Sequence, residues 1–406
     1  MRFFASGKTY DFMRFRRPMA LFSLLFVVLS FVGLFVPGPR LGTDFQGGTE
    51  LELAFKGAVD TGTVRRAVSE AGFSKPDIIK VDDASQPHRF LIRVKEVSTI
   101  DQAKQAEIEK ALCYGKEPAA DCPESRRSTE VKVSPGGDKI SVRFGSEPDL
   151  AWVKSRMAAV SQISLRSGDN PLIQNARDHK VEIQIKSKGD QLMDALRGSL
   201  GAKVPEAPLR VEWIGPKAGA QLRDAALKSI AIALVFIMAY IAFRFDLRFS
   251  PGAVIALIHD AMVTIGIMIV MKRELNLTTV AAILTIVGYS VNDTVVVYDR
   301  VRENLGKLRG ASFMKIINVS LSEMLSRTLL TSGTTIFSLL AFFIWGTGTL
   351  KDFALTLIIG LVLGTYSSIF VALPLTEWLD RRFFAKLDAK KKKQKQVSAD
   401  KASVPA

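Results

Sequence analysis

The chain is poor in the residues that do chemistry. It holds two cysteines and three histidines in 406 residues. The histidines, His88, His179 and His259, lie far apart, and no grouping has metal-ligand spacing. There is no nucleophile elbow and no phosphate-binding glycine loop. Gly47-Gly48 leads straight into a strand pattern, so it reads as a turn. The soluble part thus carries no enzyme signature. Neither a nucleotide site, a cofactor nor a metal is expected.

Ionisable residues are just as scarce inside the long apolar runs. Six runs are close to the length a bilayer requires: Met19–Val36, Ala225–Phe243, Pro251–Met271, Leu277–Tyr298, Leu329–Trp345 and Phe353–Leu373. The first resembles a signal peptide in having basic residues before an apolar stretch. It is long for one, and Phe35-Val36-Pro37-Gly38-Pro39 lacks a small-x-small cleavage site. It reads as a retained helix.

The net charge of +15 could suggest nucleic acid, but its placement argues otherwise. Much of it flanks the apolar runs. An N-terminal arm, residues 1–18, carries Arg2, Lys8, Arg14, Arg16 and Arg17. A tail, residues 381–406, carries Arg381, Arg382, Lys386 and the run Lys390–Lys393. Such clusters set topology and bind anionic lipids. For the tail, a solvated segment without a partner competes with that reading.

The positive-inside rule puts the arm, the loops Arg244–Arg248 and Arg300–Arg327, and the tail on the cytoplasmic side. Only Lys272-Arg273 falls on the opposite side. One long segment, residues 37–224, is then exported. Both cysteines, Cys113 and Cys122, lie in it. An oxidising compartment favours a disulfide between them over two free thiols.

The exported segment shows a β-α-β-β-α-β order twice, over about 48–134 and 139–214. Each is the ferredoxin-like plan. ELELAF pairs with KISVRF in this reading, and RFLIRVK with HKVEIQIK. The competing arrangement is one such unit with a long insertion near Cys113–His179. Residues 225–380 hold the remaining five spans.

Asn292 and Asp293 stand inside the fourth apolar run. A carboxylate at a helix centre in hydrocarbon costs about 3 kcal/mol on insertion scales, so an intramembrane acid marks a functional site by default. At 100° per residue, Thr278, Thr285, Tyr289, Ser290 and Asp293 share one face, with Asn292 beside it. On the fifth run Arg327, Thr331, Thr334 and Ser338 form a stripe. On the third, Asp260 and Thr264 share a face. Asp293 and Arg327 come to similar depth, so a charge pair that opens on protonation is expected there. Arg327 as a topology anchor, Asp260 as a structural hydrogen bonder and the hydroxyls as helix glue are the plainer readings.

Several stretches resemble the SecF family of protein-export subunits, relatives of the resistance-nodulation-division transporters. They are LGTDFQGGTELELAF (Leu41–Phe55), WIGPKAG (Trp213–Gly219), AYIAFRFDLRFSPGAVIALIHD (Ala239–Asp260), TTVAAILTIVGYSVNDTVVVYDRVRENL (Thr278–Leu305), SRTLLTSGTT (Ser326–Thr335) and GTYSSIF (Gly364–Phe370). The resemblance implies a six-span half-transporter with a ferredoxin-like periplasmic region in the bacterial inner membrane. It implies use of the proton motive force with SecD to help unfolded secreted chains clear SecYEG, with YajC as a further partner. The family's relay positions map onto Asp293 and Arg327, with Thr331 one turn on. Asp260 matches an acidic position of the IALIHD stretch. The exported region departs from the family by being nearly twice as long and carrying the two cysteines. A small-molecule or lipid exporter of the same superfamily and a non-transporting scaffold are the rival readings.

Overall fold

Among the described residues, six helices are long and apolar enough to cross a membrane, at the places the apolar runs predict. The structure is a computed structural model that describes residues 9–81, 86–97, 100–115, 122–123, 126–134, 136–161, 163–244, 248–346 and 348–384. Most of the N-terminal arm's first half and the Lys390–Lys393 tail lie outside the described residues. Residues 1–41 with 224–406 form one unit, and residues 42–223 form another.

In chain order, the first unit starts with α1 (Arg16–Phe35) and β1 (Arg40–Leu41). The second unit follows with α2 (Thr43–Gln46), β2 (Gly48–Ala54), α3 (Thr61–Glu70), β3 (Asp77–Val81), β4 (Arg89–Val94), α4 (Gln102–Ala111), β5 (Ser128–Val133), β6 (Lys139–Phe144), α5 (Leu150–Ala158), β7 (Leu172–Asn175), β8 (Lys180–Gln184), α6 (Lys188–Leu200) and β9 (Arg210–Ile214). Then come α7 (Pro216–Arg244), α8 (Ser250–Val270), β10 (Glu274–Leu275), α9 (Leu277–Lys307), α10 (Phe313–Trp345), α11 (Gly348–Ser367) and α12 (Leu373–Leu379). A wide π turn, Ser368–Ala372, joins the last two.

In the helical unit, α8, α9 and α11 are the inner helices, while α1, α7 and α10 stay largely exposed. Close approach comes from small residues. Ile286 of α9 occupies the place a side chain at Gly360 would need, and Gly364 faces Ser290. Between helices in lipid, such backbone proximity supplies packing that hydrophobicity cannot. Asn276 caps α9 by accepting from the Thr279 amide at 2.8 Å. The predicted loop Arg300–Arg327 is mostly helix instead. Arg300 donates to Glu323 across the hairpin at 2.6 Å, and Asn304 donates to Glu323 at 2.8 Å. These polar ties carry α9 and α10 beyond the apolar runs.

The α+β unit contains two four-stranded antiparallel sheets, ordered β3-β4-β2-β9 and β5-β6-β8-β7. Both match the ferredoxin-like strand order, so the plan is duplicated. The boundaries expected at 48–134 and 139–214 are wrong, however. The first sheet takes its last strand from β9, and α6 covers it: Leu192, Met193 and Leu196 join Val64, Ala67 and Val68 in one core. The second sheet is covered by α4 and α5 through Ile108, Leu112, Val153 and Met157. One unit is therefore inserted into the other between β4 and α6. The inserted unit is also circularly permuted. Its strand equivalent to β2 is β8, at its end, and β6 is the equivalent of β4. The expected matches of KISVRF and HKVEIQIK are thus interchanged. The expected strand Ile163–Arg166 makes one bridge, Leu165 to Ile185, and β7 takes the edge.

Gly47 and Gly48 do form a turn, between α2 and β2, with φ of 73° and 128°. A Cβ at Gly47 would lie 2.8 Å from Pro216 Cα, and one at Gly48 2.5 Å from the Val94 carbonyl oxygen. Only glycine fits both. Next to them, the open face of β2 buries Glu50 and Glu52. Arg93 and Arg210 donate to Glu50 at 2.6 and 2.7 Å, and Arg89 donates to Glu52 at 2.6 Å.

Candidate functional site

Two buried carboxylates sit among the inner helices. Asp260 of α8 is fully buried and Asp293 of α9 is 7% exposed. Hydroxyl groups hold both. Ser290 of α9 and Ser367 of α11 donate to Asp260 Oδ2 at 2.6 and 2.7 Å. His259 Nδ1 lies 3.0 Å from Asp260 Oδ1, where its N–H donates. Ser332 of α10 donates to Asp293 Oδ2 at 3.1 Å, and Thr365 of α11 donates to Ser332 Oγ at 2.9 Å.

The result is a closed set of ties: α8 to α9 and α11 through Asp260, α9 to α10 through Asp293, and α10 to α11 through Ser332. The two acids differ. Asp260 has both oxygens engaged, by three donors on three helices. Among the described residues, only Ser332 donates to Asp293. Thr264 and Thr294, buried beside the acids on α8 and α9, have hydroxyls with no partner. The arrangement thus engages Asp260 from three helices and, among the described residues, Asp293 through one hydroxyl.

The predicted residues are distributed unevenly. Arg327 is exposed at the side of a cavity of about 420 Å³ that Tyr240, Arg244, Asp299, Arg300 and Glu303 also line. Among the described residues no ion pair joins it to Asp293, whose hydrogen bond comes from Ser332. Among the described residues, the Thr331 hydroxyl bonds only the carbonyls of Arg327 and Thr328, at 3.1 and 3.0 Å. Thr334 and Ser338 likewise bond carbonyls four residues back. On α9 the expected polar face splits. Ser290 and Asp293 point inward, while Thr285, Tyr289 and Asn292 are exposed. Ser332, Thr365 and Ser367 complete the set, and no polar stripe of the sequence points to them. The signal that could have found them is their offset from the small residues: Thr365 and Ser367 flank the glycine face of α11.

Cys113 and Cys122 are joined by a disulfide, with Cα atoms 5.7 Å apart. Among the described residues there is no cluster of His, Cys, Asp and Glu that could hold a metal ion.

Residues 201–382 match the family described as protein export membrane protein SecD/SecF, C-terminal, and residues 32–59 match the SecD/SecF GG motif. The protein translocase subunit SecF of Koribacter versatilis is 34% identical across 93% of this chain and 94% of its own length. The chain belongs to the SecF family. The SecF of Vibrio alginolyticus is 30% identical across 90% of this chain and 88% of its own. The fold agrees with the crystal structure of SecDF, a translocon-associated membrane protein from Thermus thermophilus, at a TM-score of 0.64 and 26% identity. That match covers 93% of this chain but 40% of the SecDF chain, so this chain spans less than half of it. With six apolar helices and this SecF kinship, the chain is a multi-pass membrane protein. The GG motif of the SecF family falls on the turn where Gly47 and Gly48 have no room for a side chain.

Proposed function

We propose that this chain is a proton-driven, non-hydrolytic subunit of protein export, working with SecD to help unfolded secreted chains clear SecYEG. One observation carries the reading: Asp293 is a buried intramembrane carboxylate held by a single hydroxyl, in a bundle otherwise bolted together. Asp293 gains and loses the proton. Arg327 supplies compensating charge without a fixed contact. Asp260 stays in place as the hub that passes a change at α9 and α10 to α8 and α11. The drive is adequate, at about 2.3 kcal/mol per charge per 100 mV.

Asn292 and Thr331 belong to an exposed polar face on α9 and α10. Polar groups facing lipid are costly, so a second half-transporter would cover them. SecD fits that role, since the SecDF chain of Thermus thermophilus is more than twice the matched length. The reading places the chain in the bacterial inner membrane, termini in the cytoplasm and the α+β unit in the periplasm. YajC is a further partner on family grounds alone.

The test uses vesicles holding the full complex and an imposed pH gradient. Asp293→Asn should abolish gradient-dependent export while insertion and assembly persist. Arg327→Lys, which keeps the charge, should retain part of it. Unimpaired export by Asp293→Asn would remove the proposal in favour of a scaffold.

A further inference from the structure

A cleft of about 590 Å³ opens on the helical unit between α1, α8 and the stretch from Phe370 to Arg381. Its walls are mostly apolar, formed by Ala20, Leu24 and Val27 of α1, Ile258 and Met262 of α8, and Leu375 of α12, with Ser23 and His259 as the polar exceptions. On α1 and α8 these positions recur every three or four residues, so each of the two helices turns one stripe to the cleft. One end is different. It carries Arg16, Arg17 and Arg381, together with Glu377 and Trp378. Arg16 lies 3.7 Å from Glu377 and offsets its charge. Arg17 and Arg381 are exposed and make no ion pair among the described residues. The mouth therefore has two cations to spare.

We propose that this cleft binds one anionic phospholipid, its phosphate between Arg17 and Arg381 and an acyl chain along the apolar wall. The dimensions select this occupant. From Arg17 to Val27 is ten helical residues, about 15 Å, or half the hydrocarbon thickness of a bilayer. The cleft thus serves one leaflet. A partner's spanning helix would need both leaflets. Charge selects the head group: two spare guanidiniums match a phosphate that has no neighbouring ammonium. Trp378 lies at the same level, where amphipathic rings sit at head-group depth. Neither Asp293 nor Arg327 lines the cleft; His259, the neighbour of Asp260, does, away from the cationic end. Occupancy of the cleft can be measured apart from export.

The test is native mass spectrometry of the full-length protein released from mixed micelles. Phosphatidylglycerol and phosphatidylcholine of equal chain length are supplied together. One phosphatidylglycerol should be retained in preference. The double substitution Arg17→Gln, Arg381→Gln should weaken that retention about thirty-fold, at roughly a factor of five per lost cation. Both side chains are exposed, so folding should persist, and circular dichroism checks this. Ala20→Trp, which fills the cleft and leaves the charges intact, should also displace the lipid. Equal retention of phosphatidylcholine, unchanged retention by either variant, or equal competition by glycerol phosphate without acyl chains would each overturn the proposal.

Discussion

At the scale of single residues, the two buried acids should fail in different ways when replaced. Asp260 accepts from Ser290, Ser367 and His259, on three helices in total. Asp260→Ala takes from the buried Ser290 hydroxyl its acceptor, at about 1–3 kcal/mol, and leaves Ser367 only the Gly364 carbonyl at 3.2 Å. It should lower the thermal unfolding temperature of the purified protein in detergent by several degrees. Asp293→Asn keeps an acceptor for Ser332 and should leave that temperature nearly unchanged while export is lost. An Asp260→Ala protein as stable as the wild type would contradict its role as a hub. The sequence made both acids visible, because a carboxylate in an apolar run is conspicuous. It did not show their partners. Arg327, Thr331, Thr334 and Ser338 form a regular stripe, and regularity drew attention to the outward face of α10. Ser332, one residue from Thr331, is turned about 100° away and meets Asp293. Periodicity says which residues share a face, not which way that face looks.

At the scale of elements, two local devices hold the α+β unit together. Helix α6 starts with a capping box, in which Ser187 and Asp190 each accept from the other's amide. Asp190 also accepts from Arg166 Nη2 at 2.7 Å. Burial alone would raise its carboxyl, but hydrogen bonds from Arg166 and Ser187 outweigh it and hold it below the usual carboxylate range. A depressed folded value means stability that is present above the unfolded value and lost as pH falls through the folded one. Resistance to denaturant should therefore decline below about pH 4. Asp190→Asn should flatten that decline, and an unchanged acid profile would argue against it. The second device is the Cys113–Cys122 disulfide, with nine residues of separation. Closing a loop of that size removes about 3 kcal/mol of unfolded-state entropy at 25 °C. Replacing both cysteines by serine should destabilise the inserted unit by about that amount. The core of the outer unit holds neither cysteine, so hydrogen exchange there should not change.

At the scale of the whole molecule, the six spans and the alternation of strands and helices were legible, because length, apolarity and period are local properties. The nesting was legible only in part: one unit with a long insertion near Cys113–His179 is an arrangement the sequence offers, but not that the insertion carries a ferredoxin-like sheet of its own. A β-α-β-β-α-β order read twice along the chain is the same whether the units stand in tandem or one interrupts the other. What decides is which sheet each helix covers, and the stripe Leu192, Met193 and Leu196 of α6 would suit either. The nested arrangement makes a claim that tandem units would not. The outer core draws only on residues 51–94 and 192–204, and the inner core only on residues 100–185. Residues 98–186 should then be dispensable for the outer fold. Replacing them with a short Gly/Ser linker shortens the connection from β4 to α6, and loop-closure entropy favours shorter loops by about 0.6 kcal/mol per halving. Amides of β2 and β4 should remain protected from exchange in that variant. Trp213, whose ring packs against Gly136 of the inserted unit, should become more exposed and its fluorescence should shift to the red. Tandem units would behave otherwise, since the deletion would remove strands and helices from both sheets and protection of β2 would vanish. A deletion that leaves β2 protected while export fails would assign the inserted unit to the work rather than to the scaffold.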